Sequence, residues 1–230
     1  MLADGADILD IGGYSSRPGA ADISIQEELD RVVPVISAVH KAYPNAIISV
    51  DTFRGKVARD SVSAGASIVN DISAGELDDS LLPVVAELGV PYILMHMRGN
   101  PQNMTEHANY DDVMHSVMNH LSHKIRDFRL MGISDIIVDP GFGFAKGPKH
   151  GFSILAHLEV LKSLNCPLMV GLSRKSMIWK TLGIRAEEAL NGTTVLNTLA
   201  VQKGANLLRV HDVTAAKEVV TLWQRLQDAR

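Results

Sequence analysis

Along the chain, short apolar runs alternate with longer stretches in which apolar positions recur every three or four residues, joined by loops rich in glycine and polar groups. The short runs predict strands at 8–11, 46–50, 67–70, 92–95, 136–138, 168–171 and 206–209. The longer stretches predict helices at about 24–42, 55–64, 79–88, 110–131, 151–164, 186–203 and 212–229, one after each strand. Ile136, Ile137 and Val138 are consecutive β-branched residues, which describes a strand buried on both faces, as in parallel sheets covered by helices. That strand gives way to Asp139: Pro140 cannot donate to a ladder, and Gly141 and Gly143 permit a turn, so the chain leaves the sheet on a carboxylate.

Repeated strand-helix units leave two architectures, a closed (β/α)₈ barrel and an open doubly wound sheet. An open sheet gathers its ligand residues at the switch point, whereas a barrel collects them from nearly every strand end. Here the strands finish on Ser15-Ser16-Arg17, Asp51-Thr52, Asn70-Asp71, His96, Asp139, Ser173-Arg174-Lys175 and Arg209-Val210-His211, which predicts an α/β fold of the TIM-barrel class. A barrel needs eight strands, and residues 1–7 read as the tail of a helix entering the strand at 8–11. The first strand is therefore expected to lie outside this sequence, either because the chain is a fragment or because something else fills the gap. No stretch resembles a linker, so residues 1–230 are expected to form a single domain.

Composition narrows the function. With 230 residues, 46% hydrophobic and 21% charged, the chain can bury a large core and lacks a disorder signature. The formal charge of −4 and scattered basic residues argue against nucleic acid as the partner and for a small-molecule site. Cys166 is the single cysteine, which excludes an intrachain disulfide and suits a reduced compartment. No apolar run is long enough to span a bilayer, and no basic-then-apolar leader is present at Met1, so no membrane partner and a cytoplasmic location are expected.

Three sets of residues carry candidate chemistry. Asp51, Asn70 and Asp139, at strand tips, form a fork of acceptors and donors suited to a flat heterocycle with adjacent ring N–H and amino groups. The competing reading is that Asp51 and Asp71 cap the helices that follow. Lys175 and Ser176, at the start of a helical Met177-Ile178-Trp179-Lys180, offer a cation and helix-terminal N–H groups to an anion; otherwise Ser176 is an N-cap beside a solvated lysine. Arg209 and His211, two apart on an extended segment, point the same way and with Arg17 could hold a diphosphate. His96 invites a metal reading that lacks a supporting carboxylate or cysteine pattern, and His115, His120 and His123 fit one polar helix face. Nucleotide cofactors have no support, because Gly141 to Phe144 lacks the rest of a dinucleotide fingerprint.

Seven motifs in order, Asp-Ile-Gly-Gly-x-Ser-Ser-Arg-Pro-Gly from Asp10, Ser-Val-Asp-Thr from Ser49, Asn-Asp-Ile-Ser from Asn70, His-Met-Arg-Gly-Asn-Pro from His96, Asp-Pro-Gly-Phe-Gly-Phe-Ala-Lys from Asp139, Gly-Leu-Ser-Arg-Lys-Ser from Gly171 and Arg-Val-His-Asp from Arg209, resemble the dihydropteroate synthase family. The resemblance implies a folate-pathway transferase that joins 4-aminobenzoate to a dihydropterin methyl diphosphate. It also implies roles. Asp51, Asn70 and Asp139 would grip the pterin edge, with Lys175 near the ring and Met95 and Gly171 lining the pocket. Arg209 and His211 would hold the leaving diphosphate, and Lys175, Arg209, His211 and Asp139 would carry the chemistry. Ser16, Arg17, Pro18, Phe144, Lys175 and Ser176 would shape the aminobenzoate pocket, where sulfonamides compete. Mg²⁺ is the implied cofactor, with its protein ligand in the absent first strand rather than in this chain, and a homodimer is the implied assembly. Two positions depart from the family: Tyr14 stands where an acidic residue is usual, and Ser16 where threonine is usual. A methyltetrahydrofolate methyltransferase and a non-catalytic pterin-binding paralogue are the alternatives.

Overall fold

In the computed structural model, which describes residues 1–17, 19 and 21–229, the apolar runs form seven strands: β1 (Ile8–Gly12), β2 (Ile47–Asp51), β3 (Ile68–Asp71), β4 (Tyr92–Met95), β5 (Ile136–Asp139), β6 (Met169–Val170) and β7 (Leu207–Leu208). All pairings are parallel. Each strand from β2 to β5 pairs with its predecessor, β7 pairs with β6, and a single bridge between Val138 and Leu168 joins the two ladders. The order never reverses. A doubly wound sheet must reverse at its switch point, so this continuous winding is that of a TIM-type barrel.

Eight α-helices cover the strands: α1 (Ile25–Ala42), α2 (Gly55–Ser63), α3 (Leu81–Leu88), α4 (Val113–Leu130), α5 (Pro148–Ala156), α6 (Ser176–Leu182), α7 (Leu190–Gln202) and α8 (Val213–Asp228). Ser24 caps α1 by accepting from Glu27 N at 3.1 Å, and Asp112 caps α4 by accepting from His115 N at 2.9 Å. Leu29, Val32 and Ile36 in α1 and Val117, Leu121, Ile125 and Phe128 in α4 are buried at helical spacing. They join one core with Val50, Val69, Leu94, Val138 and Val170 from the outward faces of the strands.

The structure corrects several boundaries. The expected helix at 151–164 divides into α5 and a 3₁₀ segment, Leu158–Leu164, and the one at 186–203 into a 3₁₀ turn, Ala186–Glu188, and α7. The short α6 also follows β6, which therefore has two helices after it. Seven residues ended by Gly183 at φ 68° are too few to give a clear periodic signal. β6 and β7 are two residues each, so Arg209 and His211 lie beyond the strand.

Inside the barrel, Ile68, Ile93, Ile137 and Met169 pack with Ile8 and Leu207. Two residues further along those same strands stand Asn70, Met95, Asp139, Gly171, Asp10 and Arg209. Side chains two apart share a face, so the apolar floor dictates that the next inward layer is this polar set. Asp51 joins it through its register with Asn70. Among the described residues β1 and β7 share no ladder; Arg209, just past β7, reaches Asp10 of β1 at 2.6 Å, and Lys217 of α8 reaches Asp7, just before β1, at 3.0 Å.

Candidate functional site

At the C-terminal rim, β2, β3 and β5 deliver Asp51, Asn70 and Asp139, and Arg209 reaches across from the end of β7. The Arg209 guanidinium bridges two carboxylates, with Nε 2.6 Å from Asp10 Oδ2 and Nη2 2.6 Å from Asp51 Oδ2. Asn70 Nδ2 donates to the same Asp10 oxygen at 3.1 Å. Four of the inward polar side chains thus form one connected network. Asp139 accepts from Gly141 N at 2.7 Å, which fixes its carboxylate against its own loop. A Cβ at Gly141, whose φ is 70°, would stand 2.1 Å from His96 O; only glycine fits this turn.

Lys175, at the N-cap position of α6, donates its Nζ to Phe142 O and lies 4.8 Å from the centroid of the Phe144 ring. A Cβ at Gly171 would lie 3.9 Å from both Arg209 Cβ and Lys175 Nζ, so position 171 faces the space between the two cations. Met95, the register partner of Asp139, belongs to a second apolar cluster at the rim with Phe53, Ile72 and Met97, against which Phe144 packs. An apolar cluster beside a polar fork at one rim suits a flat heteroaromatic ligand.

The cavity shifts its own acids and bases. Burial, reinforced by the neighbouring Asp10 charge, raises Asp51 to about 7 although Arg209 opposes the shift. Burial likewise raises Asp139, and it lowers Lys175 to about 8 against the favourable Asp139 charge. For Arg209, burial disfavours the charge, but Asp10 and Asp51 outweigh it and hold the guanidinium above its usual range. Near neutral pH Lys175 is a cation and Asp51 sits close to its midpoint.

The helix-capping reading of Asp51 and Asp71 does not hold. The N-cap of α2 is Arg54, and Asp51 pairs with Arg209. Asp71 instead ties its own loop, accepting from Ser73 N, Ser73 Oγ and Gly75 N, and from Tyr92 Oη at 2.6 Å. Ser176 is the first residue of α6 rather than its N-cap, and Lys175 is not solvated. Arg209 and His211 have different partners: both lie past the end of β7, with Arg209 bonding Asp10 and Asp51 and His211 bonding Ser173, its N donating to Oγ at 3.2 Å and its Nδ1 2.9 Å from the same oxygen. Arg17 is exposed and Ser16 half-buried in the loop after β1, without a hydrogen bond to the strand-tip set among the described residues; Pro18 lies outside them. His120 does not share a polar face with His115 and His123. It stacks edge-on against buried His96 with centroids 4.9 Å apart, and burial lowers His96 to about 2 and His120 to about 4.

Sequence reading missed Asp10 as a member of the network. The signal was present, because Ile8, Asp10 and Gly12 alternate with Leu9 and Ile11, which places Asp10 on the inner face. It also assigned nothing to Lys146, a buried lysine whose Nζ donates to His96 O, Gly141 O and Phe144 O at 2.9–3.0 Å and knots the Asp139 loop. Tyr14 bridges two rim loops: Gln102 Nε2 donates to its Oη at 2.8 Å, and its ring meets Phe53 edge-on at 4.9 Å.

Comparison with known proteins adds the family. The pattern of the family described as pterin binding enzyme matches residues 1–211. The chain is 41% identical to the dihydropteroate synthase of Escherichia coli strain K12 over 232 residues, covering 100% of this chain and 82% of that protein. It superposes on the Yersinia pestis dihydropteroate synthase in complex with a sulfonamide drug with a TM-score of 0.95 at 39% identity, covering 99% of this chain and 82% of that one. The Xanthomonas albilineans dihydropteroate synthase with 4-aminobenzoic acid gives a TM-score of 0.92 at 41% identity, covering 98% and 81%. The chain belongs to the dihydropteroate synthases, transferases of the pterin-binding enzyme family.

Proposed function

We propose that this chain condenses 4-aminobenzoate with (7,8-dihydropterin-6-yl)methyl diphosphate to give 7,8-dihydropteroate and diphosphate, using the rim of the barrel as one site. The observation that supports the residue assignment is that Asp51, Asn70, Asp139, Lys175 and Arg209 stand at one rim, where Arg209 pairs with Asp51 and both Arg209 and Lys175 act on the Asp139 carboxylate, with Met95 and Phe144 in one apolar cluster at the same rim. Asp51, Asn70 and Asp139 bind the pterin edge, Lys175 lies beside the ring, and Gly171 leaves room for it. Arg209 and His211 hold the diphosphate. Ser16, Arg17, Phe144, Lys175 and Ser176 are the residues assigned to the aminobenzoate, a ligand of the Xanthomonas relative.

The chemistry needs no strong base. An arylamine is a neutral nucleophile, so the barrier lies in departure of diphosphate from a methylene that the electron-rich pterin stabilises as a cation. Positioned charges against the leaving oxygens lower such barriers by several kcal/mol, on the order of 3 for one well-placed donor. Arg209 is held by Asp10 and Asp51. As the pterin takes over the Asp51 carboxylate, Arg209 is released on that side toward the diphosphate while Asp10 keeps its Nε.

Mg²⁺ belongs to the proposal as a companion of the diphosphate, whose charge it neutralises when bound. Among the described residues no group of three His, Cys, Asp or Glu side chains is placed to hold a metal, and no step above depends on one. The chain functions as one barrel domain over residues 1–230 in the cytoplasm; among the described residues no helix is long and apolar enough to cross a membrane. It pairs with a second copy. Support for a homodimer comes from exposed apolar side chains at helical spacing, Leu190, Val195 and Leu199 on α7 and Leu222 and Leu226 on α8, two helices packed side by side.

Isothermal titration with the pterin diphosphate, followed by a coupled assay of diphosphate release with and without 4-aminobenzoate, tests the reading. Binding with release dependent on the amine is expected. Binding without release leaves a pterin-binding protein and removes the transferase assignment.

A further inference from the structure

Arg174 and Asp212 flank the site without belonging to it. Arg174 stands between Ser173 and Lys175 with φ 52°, a left-handed backbone that a long side chain adopts only when its surroundings enforce it. The enforcement is visible. Its N donates to Thr193 Oγ1 at 3.0 Å, and that hydroxyl donates to Ala189 O at 2.8 Å, which ties the β6 loop to the start of α7. Its guanidinium grips Asp212 at both oxygens, Nε to Oδ2 at 2.8 Å and Nη2 to Oδ1 at 2.9 Å, and its Nη1 donates to Ala186 O and Glu187 O. The two partners sit on neighbouring loops, each next in sequence to a site residue: Arg174 precedes Lys175, and Asp212 follows His211.

The same two loops meet a second time one residue inward. Ser173 Oγ accepts from His211 N at 3.2 Å and lies 2.9 Å from His211 Nδ1, so one hydroxyl holds both the backbone and the ring of His211. A bidentate guanidinium-carboxylate pair fixes distance and orientation together, unlike a point-charge contact. Both partners are only about a quarter exposed, 26% for Arg174 and 27% for Asp212, so the pair is partly shielded from water. The Arg174 guanidinium holds the Asp212 carboxyl below its usual range.

We propose that Arg174 and Asp212 are positioning residues that act as one unit, setting His211 at a fixed distance from Lys175 so that the diphosphate end of the substrate is held in register with the pterin end. The pair touches no substrate. The left-handed Arg174 directs consecutive side chains apart, its own outward to Asp212 and that of Lys175 inward to Phe142 O and the ring of Phe144.

The inference rests on the proposed role of His211 in holding diphosphate, and its test separates the two. Affinities for inorganic diphosphate and for a dihydropterin lacking diphosphate are measured by titration in the unaltered chain and in Arg174→Gln, Asp212→Asn, the double variant and Asp212→Glu. Each single variant is expected to lose about tenfold in diphosphate affinity and in kcat, with pterin affinity within about twofold, because Asp51, Asn70 and Asp139 stand on other strands. The double variant is expected to be no worse than the poorer single, and Asp212→Glu, which keeps the carboxylate, to recover most of the loss. Should Arg174→Gln not fold, the two Asp212 variants decide alone. Equal losses for both ligands, unaltered diphosphate affinity, or failure of Asp212→Glu to recover would overturn the proposal, as would fully additive losses in the double variant. An unaltered chain that binds no diphosphate would overturn the role of His211 as well.

Discussion

The two ends of the proposed site, one for the pterin and one for the anion, are built differently. On the pterin side, β2 to β5 form regular parallel ladders, and Asn70 and Asp139 are held at 4% and 5% exposure by backbone register. On the anion side, β6 and β7 are two residues each, Arg209 is 44% exposed, and geometry is set by side chains, Arg209 to Asp10 and Asp51, Ser173 to His211, and Arg174 to Asp212. Discrimination between similar heterocycles needs rigid, desolvated acceptors whose partners cannot move. Capture and release of a multiply charged leaving group needs cations that can trade carboxylate partners for phosphate.

The largest effect tests the anion side. Arg209→Ala removes the charge proposed to face the diphosphate and leaves Asp10 and Asp51 as uncompensated neighbours, so kcat should fall about 1000-fold. Aminobenzoate affinity, by titration in the presence of pterin, should change far less; equal losses would place Arg209 elsewhere. Asp139→Asn tests the pterin side. It puts an amide donor where the pterin offers donors and should weaken pterin binding about 100-fold, on the order of 3 kcal/mol, with diphosphate affinity retained. Titration of both ligands against this variant reads the split directly.

A pH profile of kcat/KM tests the two sides jointly. Asp51 accepts hydrogen bonds as a carboxylate above about 7, and Lys175 carries its charge below about 8, so the profile should be a bell whose limbs lie near those values. Asp51→Asn should abolish the acid limb and leave the alkaline one; an acid limb that survives belongs to another group. The smallest effect is expected from Tyr14→Phe. It deletes the Gln102 hydrogen bond and keeps the packing on Phe53, at a cost of about 1 kcal/mol in stability and under twofold in kcat, as read by thermal unfolding beside a rate assay.

The same contrast explains what the sequence revealed. Polar residues ending nearly every strand placed Asp51, Asn70 and Asp139 at strand tips and pointed to the barrel, and the strand alternation of period two puts their side chains on its inner face. Asp10 obeyed the same alternation and was passed over. The anion side was less legible because side-chain contacts over long sequence separations, such as Arg209 to Asp10, leave no periodic trace. Arg209 and His211 lie past the ladder, which stops at Leu208, so strand alternation does not give their partners. Position 174 was opaque for a local reason, since nothing in an arginine announces a left-handed backbone. His120 was misread because its helix face is polar by composition, while His96 from another strand end buries it.

A crystal structure of the chain with (7,8-dihydropterin-6-yl)methyl diphosphate tests most directly whether the two sides serve one cavity. The account predicts the pterin edge within hydrogen-bond distance of Asp51, Asn70 and Asp139, the ring beside Met95 and Lys175, and the diphosphate against Arg209 and His211 with the Arg209–Asp51 pair opened. A ring lying outside the strand tips, or a diphosphate bound away from both Arg209 and His211, would contradict it.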